Sequence, residues 1–402
     1  MRLISRRRGR VCAAFSALAL AALSPLSTAA PSGTAPAQIA GLPDVAVPLD
    51  SPDGGVPIDL VGISDLHGYI ENTFHKDPET GEVDLNNVEN PGLISMGCHL
   101  SRAYRANPNA LFISSGDNIG SSYYLSSYMD DEGTLDVLER FRMDVSALGV
   151  HELDHGLGDL EARVLPYATF PILAANVSGS DVLSAEGDGR GVFIKEVDGV
   201  RVGFIGVVTD ELPKLVSSST RAQLTVAPAV ATANARAAEL KDGDPANGEA
   251  DVVVVLSHED AASTATSFSK NVDAVVAGRS HVSYAQTVTG VEGNEIAVVQ
   301  PDHYGLKLGM IRLNYDRDTK KVSVVNVENR DLRQEYCHED DFGGVDIFAL
   351  KRYNKMMDLG AARAVAQLGT DYLRGSDGVT PGAHAGTEST AADLVAESYR
   401  YW

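Results

Sequence analysis

Eight residues in short polar runs have the types and spacing to do chemistry. Asp65 and His67 lie in Ser64-Asp65-Leu66-His67-Gly68, and Asp117 lies in Ser115-Gly116-Asp117-Asn118. His151 and Asp154 lie in Gly149-Val150-His151-Glu152-Leu153-Asp154. His258 follows the apolar run 252–256, and Arg279 and His281 lie in Gly278-Arg279-Ser280-His281. Each run alone says little, since any loop can hold an Asp and a His. Together they supply carboxylates and imidazoles, the ligand set that suits Zn, Mn, Fe, Ni or Co. The remaining histidines lack this setting. His75, His99, His303, His338 and His384 read as surface or core residues, and His155 is assigned no role.

The elements that must position these residues can be read from apolar periodicity. Strands are predicted over 57–63, 110–114, 145–148, 170–174, 192–197 and 202–208, with helices over 93–104 and 135–141. Asp198-Gly199 is a hairpin-turn signal between two of those strands. An Ala-rich helix over 229–240 follows Pro228, which suits a helix start. The runs 251–256 and 273–277 are apolar on both faces and predict buried strands. Runs 296–300 and 308–314 close the region. Strands alternating with helices imply a layered α/β core. Every polar run above falls just after a predicted strand, the edge where open α/β sheets bind ligands.

The first thirty residues read as a secretory signal peptide. Arg2, Arg6, Arg7, Arg8 and Arg10 precede an apolar run over 11–23, and small residues end at Ala29-Ala30. Residues 31–55 are rich in Pro, Gly, Ala and Ser and read as a flexible leader. The chain of 402 residues carries 33 Lys+Arg against 55 Asp+Glu, a net charge of −22. Cleavage would remove five Arg and no acid, leaving a net of −27. A surface so acidic repels phosphate backbones and anionic lipid, which argues against a nucleic-acid polymer partner and a stable membrane anchor. Three Cys are too few for a disulfide-built scaffold. Cys98 and Cys337 remain after export and the sequence leaves their pairing open. The expectation is a soluble exported protein that does not rely on disulfides.

These blocks, in this order, resemble the calcineurin-like metallophosphoesterases. More narrowly they resemble the secreted bacterial 5′-nucleotidase and 2′,3′-cyclic-nucleotide phosphodiesterase group. The narrower resemblance rests on Ile63 to Gly68, the Gly-x-His-Glu-x-Asp-x-Gly run at 149–156, the stretch 202–209 and the segment 300–309. It implies a four-layer α/β/β/α sandwich over 56–335 with two divalent metals at the strand ends. It implies Asp65, His67, Asp117 and His281 as ligands of the first metal, with Asp117 as the bridge, and His258 as a ligand of the second. His151 matches the family's catalytic histidine and Asp154 its orienting partner. A small anionic phosphoester, of nucleotide type, is the implied substrate.

The sequence departs from the family at two positions. Val150 stands where that pattern has Asn, and Arg279 where it has His. Neither valine nor a guanidinium offers an electron pair to a metal. One reading makes the chain a one-metal phosphoesterase in which Arg279 replaces the charge of the second ion. The other makes it a non-catalytic metal- or nucleotide-binding homologue, with Arg279 paired to Asp117 as the plainest arrangement. Residues 336–385 resemble the connecting helix and loop that lead to a C-terminal nucleotidase domain, and 386–402 its first helix, with self-association through that helix expected.

Overall fold

The structure, a computed structural model, describes residues 55–337. The signal peptide, most of the leader, His338, His384 and the helices expected after residue 337 lie outside the described residues.

Two six-stranded mixed sheets form the centre. The first orders its strands as Lys321–Asp331, Lys307–Asp316, Val56–Ile63, Leu111–Ser114, Met143–Ala147 and Ile172–Leu173. The last four run parallel, and the first two add antiparallel. The second orders Ser283–Thr289, Glu295–Pro301, Ala274–Ala277, Val252–His258, Val200–Val208 and Val192–Val197. Its four inner strands are parallel and both edges antiparallel. The predicted turn is present: Val197 pairs with Val200, and Asp198 and Gly199 take φ of 49° and 74°. Both values are positive, as a type I′ turn requires.

Strand periodicity explains how the sheets stack. Val252, Val254 and Leu256 point into an inner core shared with Ile58, Leu60, Ile113 and Val145 of the first sheet. Val253 and Val255 point the other way, onto Ala229, Ala233 and Ala237. These alanines recur every fourth residue of the helix Ala229–Glu239, so one smooth face lies close to the sheet. The first sheet is covered in the same manner by Leu93, Met96 and Leu100 of the helix Gly92–Ala106 and by Leu135 and Leu138 of the helix Glu132–Arg140. The four layers are therefore helix, sheet, sheet, helix, as expected.

Cys98 and Cys337 form a disulfide, with Cα atoms 6.0 Å apart. This corrects the expectation of a protein that does not rely on disulfides. The bond ties the segment after the last strand to the helix Gly92–Ala106. Six of the described strands went unread in the sequence: Lys321–Asp331, Ser283–Thr289, the hairpin of Thr73–Lys76 with Val83–Asn90, and the short pair Val177–Ser178 with Thr225–Val226.

Candidate metal centre

Strand ends of both sheets meet at one edge. From the first come Asp65 and His67 after Ile63, Asp117 after Ser114, and His151 after Ala147. From the second come His258, Arg279 and His281 after Ala277, and the loop after Pro301. Hydrogen bonds stitch the two groups together. Arg279 N–H donates to both carboxylate oxygens of Asp65 at 3.0 and 2.9 Å. Tyr304 N–H donates to the Asp65 carbonyl at 2.8 Å, and Ser115 Oγ donates to the Ala277 carbonyl at 3.0 Å. The site thus lies on the seam between the sheets, beside a cavity of about 500 Å³.

All eight residues singled out in the sequence come together here. The imidazoles of His67, His151 and His281 converge, with ring centroids 5.1 and 5.3 Å from His67. His67 Nδ1 lies 2.8 Å from the Gly120 carbonyl, and His258 Nδ1 lies 3.0 Å from the Ser115 carbonyl. A carbonyl only accepts, so each Nδ1 carries a proton and each Nε2 faces the site, where it offers a lone pair whenever the ring is neutral. Two groups have all their ligand atoms within 4.8 Å of one another: Asp65, His67 and His281, and Asp65, Asp117 and His258. Asp65 is common to both. Asp117 Oδ2 reaches toward both as well, 3.8 Å from His67 Nε2 and 3.0 Å from His258 Nε2.

These residues fit a cation. His258 Nε2 is buried and meets the Asp117 carboxylate at 3.0 Å without a well-formed hydrogen bond. Buried carboxylates and imidazoles crowded together in this way are the donor set of a divalent ion. The electrostatics agree. Burial pushes the Asp65 carboxyl up, and the neighbouring Asp117 adds to this. Burial alone would lower the His258 pKa, but Asp117 and Asp65 overcome it and lift the imidazole to about 9. Burial also opposes ionisation of Asp117, yet His258 and His67 hold its carboxyl below the usual range. A proton on His258 thus offsets part of the charge that a metal would neutralise.

A carboxylate missed as a site residue fixes the Asp117 loop. Glu152 is buried and accepts N–H bonds from Asp117 at 3.1 Å, Asn118 at 2.8 Å and Gly149 at 2.8 Å. Its place in the His-Glu pair of the 149–156 run was the signal. His151 Nδ1 lies 3.0 Å from Asp154 Oδ1, and this hydrogen bond raises the imidazole pKa. Asp154 is itself held by the Ser121 N–H at 2.7 Å.

Two expectations are corrected. Arg279 does not pair with Asp117: its guanidinium pairs with Glu211 and, at 3.6 Å, with Glu259. His303 belongs to the site region, stacked on His281 with centroids 4.6 Å apart and bonded to Asp302 at 2.6 Å. His99 is buried under the Cys337 segment. Val150, as the sequence placed it, lines the cavity with an apolar wall.

No family model matches the chain. Cell wall protein Lmo0130 of Listeria monocytogenes is 32% identical over 238 residues, covering 52% of this chain and 28% of that protein. Endonuclease YhcR of Bacillus subtilis is 27% identical over 361 residues, covering 82% of this chain and 28% of that protein. Human 5′-nucleotidase is 24% identical over 289 residues, covering 67% of this chain and 48% of that protein. The chain therefore spans less than half the length of each. Among solved structures, the calcineurin-like phosphoesterase YfkN of Bacillus subtilis superposes with a TM-score of 0.57 at 20% identity, covering 75% of this chain and 98% of that one. That likeness establishes an α/β metallophosphoesterase fold. The chain is thus similar in sequence to a cell wall protein, an endonuclease and a 5′-nucleotidase, and in fold to a calcineurin-like phosphoesterase.

Proposed function

We propose that this chain is an exported, metal-dependent phosphoesterase that hydrolyses nucleotide-type phosphomonoesters or cyclic phosphodiesters. The observation that carries the reading is the convergence of Asp65, His67, Asp117, His258 and His281 on one seam, with the Nε2 atoms of His67 and His258 aimed inward. Asp65, His67, Asp117 and His281 would hold the first divalent ion. Asp117 and His258, with Asp65 near them, would hold a second only weakly, because Val150 and Arg279 contribute no ligand. When bound, a divalent ion here supplies Lewis acidity and activation of water at neutral pH.

The chain's own residues supply the rest. Asp154 keeps the His151 Nδ1 proton and favours the imidazolium, so His151 Nε2 donates a proton to the leaving oxygen. Arg279 lines the cavity and offers its fork to phosphoryl oxygens. Glu152 holds the Asp117 loop in place. The leader of five Arg followed by an apolar run, and a relative named as a cell wall protein, support export.

The test is a metal titration of the mature protein with nucleotide and bis-p-nitrophenyl phosphate assays. Turnover that is lost in Asp65→Ala and falls about 10- to 100-fold in Asp154→Asn supports the reading. No turnover with Mn, Zn, Co or Ni overturns it. A second reading, a homologue that binds metal or nucleotide without hydrolysis, is favoured by the closure of Arg279 onto two carboxylates. Its signature is one ion bound per chain with no turnover.

A further inference from the structure

Among the described residues, Arg279 is the one Lys or Arg that lines the cavity, and it is held by two carboxylates of unequal burial. Glu259 is the inner partner. Its side chain is 15% exposed, and its Oε1 accepts the Asp210 N–H at 3.0 Å. Glu211 is the outer partner, with a side chain 48% exposed. It lies at the start of a short turn whose Leu215 lines the same cavity. Lys214 of that turn approaches Glu211 at 3.5 Å and would remain beside it if Arg279 left.

We infer that Glu211 is a displaceable counter-ion for Arg279, removed by the oxygens of an incoming doubly charged phosphoryl group. The inference rests on the reading of the cavity as a phosphoester site. A solvent-exposed ion pair is weakly held, whereas a guanidinium fork meets a tetrahedral oxyanion through two parallel hydrogen bonds. A dianionic phosphate brings more charge to that fork than the single carboxylate it replaces. Glu259, the less exposed partner, stays paired throughout, so Arg279 keeps a counter-ion and a fixed position while its outer edge changes partner. Glu211 is then a positioning residue. It keeps the guanidinium at the cavity wall in the empty site and weakens phosphate binding by competing for it.

The experiment is a calorimetric titration of orthophosphate at pH 8 into the full chain supplied with Mn²⁺. The proteins are the unmodified chain, Glu211→Gln, Arg279→Gln and the double variant. Glu211→Gln should tighten orthophosphate about two- to fivefold. Arg279→Gln should weaken it about tenfold or more. The double variant should match Arg279→Gln alone, because the competition vanishes with the arginine. Equal tightening by Glu211→Gln in both backgrounds would mean a general charge effect and overturn the inference, as would no tightening at all. Binding that behaves as expected without turnover in any protein removes the hydrolase reading and leaves this one standing. Turnover with phosphate binding indifferent to Glu211 does the reverse.

Discussion

Eight residues on the loops that build the seam hold a backbone conformation that residues other than glycine avoid. Asp65, His67, Asp117, Ser121, Arg279, His281, Asp302 and Tyr304 have φ between 46° and 76°. Such conformations cost about 1–3 kcal/mol each and persist only when the surroundings impose them. The cross-sheet hydrogen bonds to Asp65 do so here. Asp65 adds a buried carboxylate whose pKa is raised, so at neutral pH its charge opposes folding. Asp65→Asn should therefore raise the melting temperature of the metal-free protein, by about 2–4 °C for each kcal/mol gained, while abolishing metal binding. A lower melting temperature would show that the charge is well compensated without metal. Gly149 passes so close to Asp117 that a Cβ would lie 2.2 Å from its Oδ1. Gly149→Ala should displace that carboxylate and lower metal affinity by about tenfold or more, read by competition with a chromogenic chelator. The candidate ligands were legible in the sequence because each lies within a few residues of an apolar strand. Glu211 and Glu259 were not, since their role comes from reaching Arg279 across the cavity. His303 was set aside because nothing in its neighbouring residues shows that it stacks on His281.

Among the elements, the helix Gly92–Ala106 and the segment ending at Cys337 form a clasp. Besides the disulfide, His99 Nε2 donates to the Glu335 carbonyl at 2.8 Å and Ser95 Oγ donates to the Leu332 carbonyl at 3.2 Å. Burial holds the His99 imidazole down at about 4. The unfolded chain therefore binds a proton, between pH of roughly 6.5 and about 4, that the folded chain does not. The stability conferred by neutral His99 is complete above that window and declines as pH falls through it, by on the order of 3 kcal/mol at pH 4. His99→Gln should show a smaller fall in melting temperature from pH 7 to pH 4 than the unmodified chain, and an equal fall would refute the assignment. Reducing the disulfide should cost about 2–4 kcal/mol at either pH. This clasp was not legible, because Cys98 and Cys337 are 239 residues apart and only the folded chain shows their distance. The strands of the inner core were legible because covering on both faces makes them apolar throughout, as in Val252–His258. Ser283–Thr289 is an edge strand with mostly exposed or half-buried residues, so its pattern carries no such signature.

At the scale of the whole molecule, a net charge of −22 surrounds a site proposed to bind anions. Like charges slow the approach of such a ligand, and salt screens them within about 10 Å at 0.1 M. Raising ionic strength from 10 to about 150 mM should therefore raise kcat/KM for a nucleotide substrate by a few-fold. A fall over that range would mean that local cations govern the encounter. The layered arrangement was legible in outline, since strands and helices alternate along the chain. Which strand ends would face one another across the seam was not, because that depends on how two separate sheets dock.

That docking would set when the protein can take up the proposed metal. Asp65, His67 and Asp117 belong to one sheet, and His258 and His281 to the other. Each candidate group of ligands draws on both sheets, so neither half alone would hold the proposed ion as the docked pair would. Loading of that ion would thereby wait until the two halves have come together, and its retention would report that they have done so correctly.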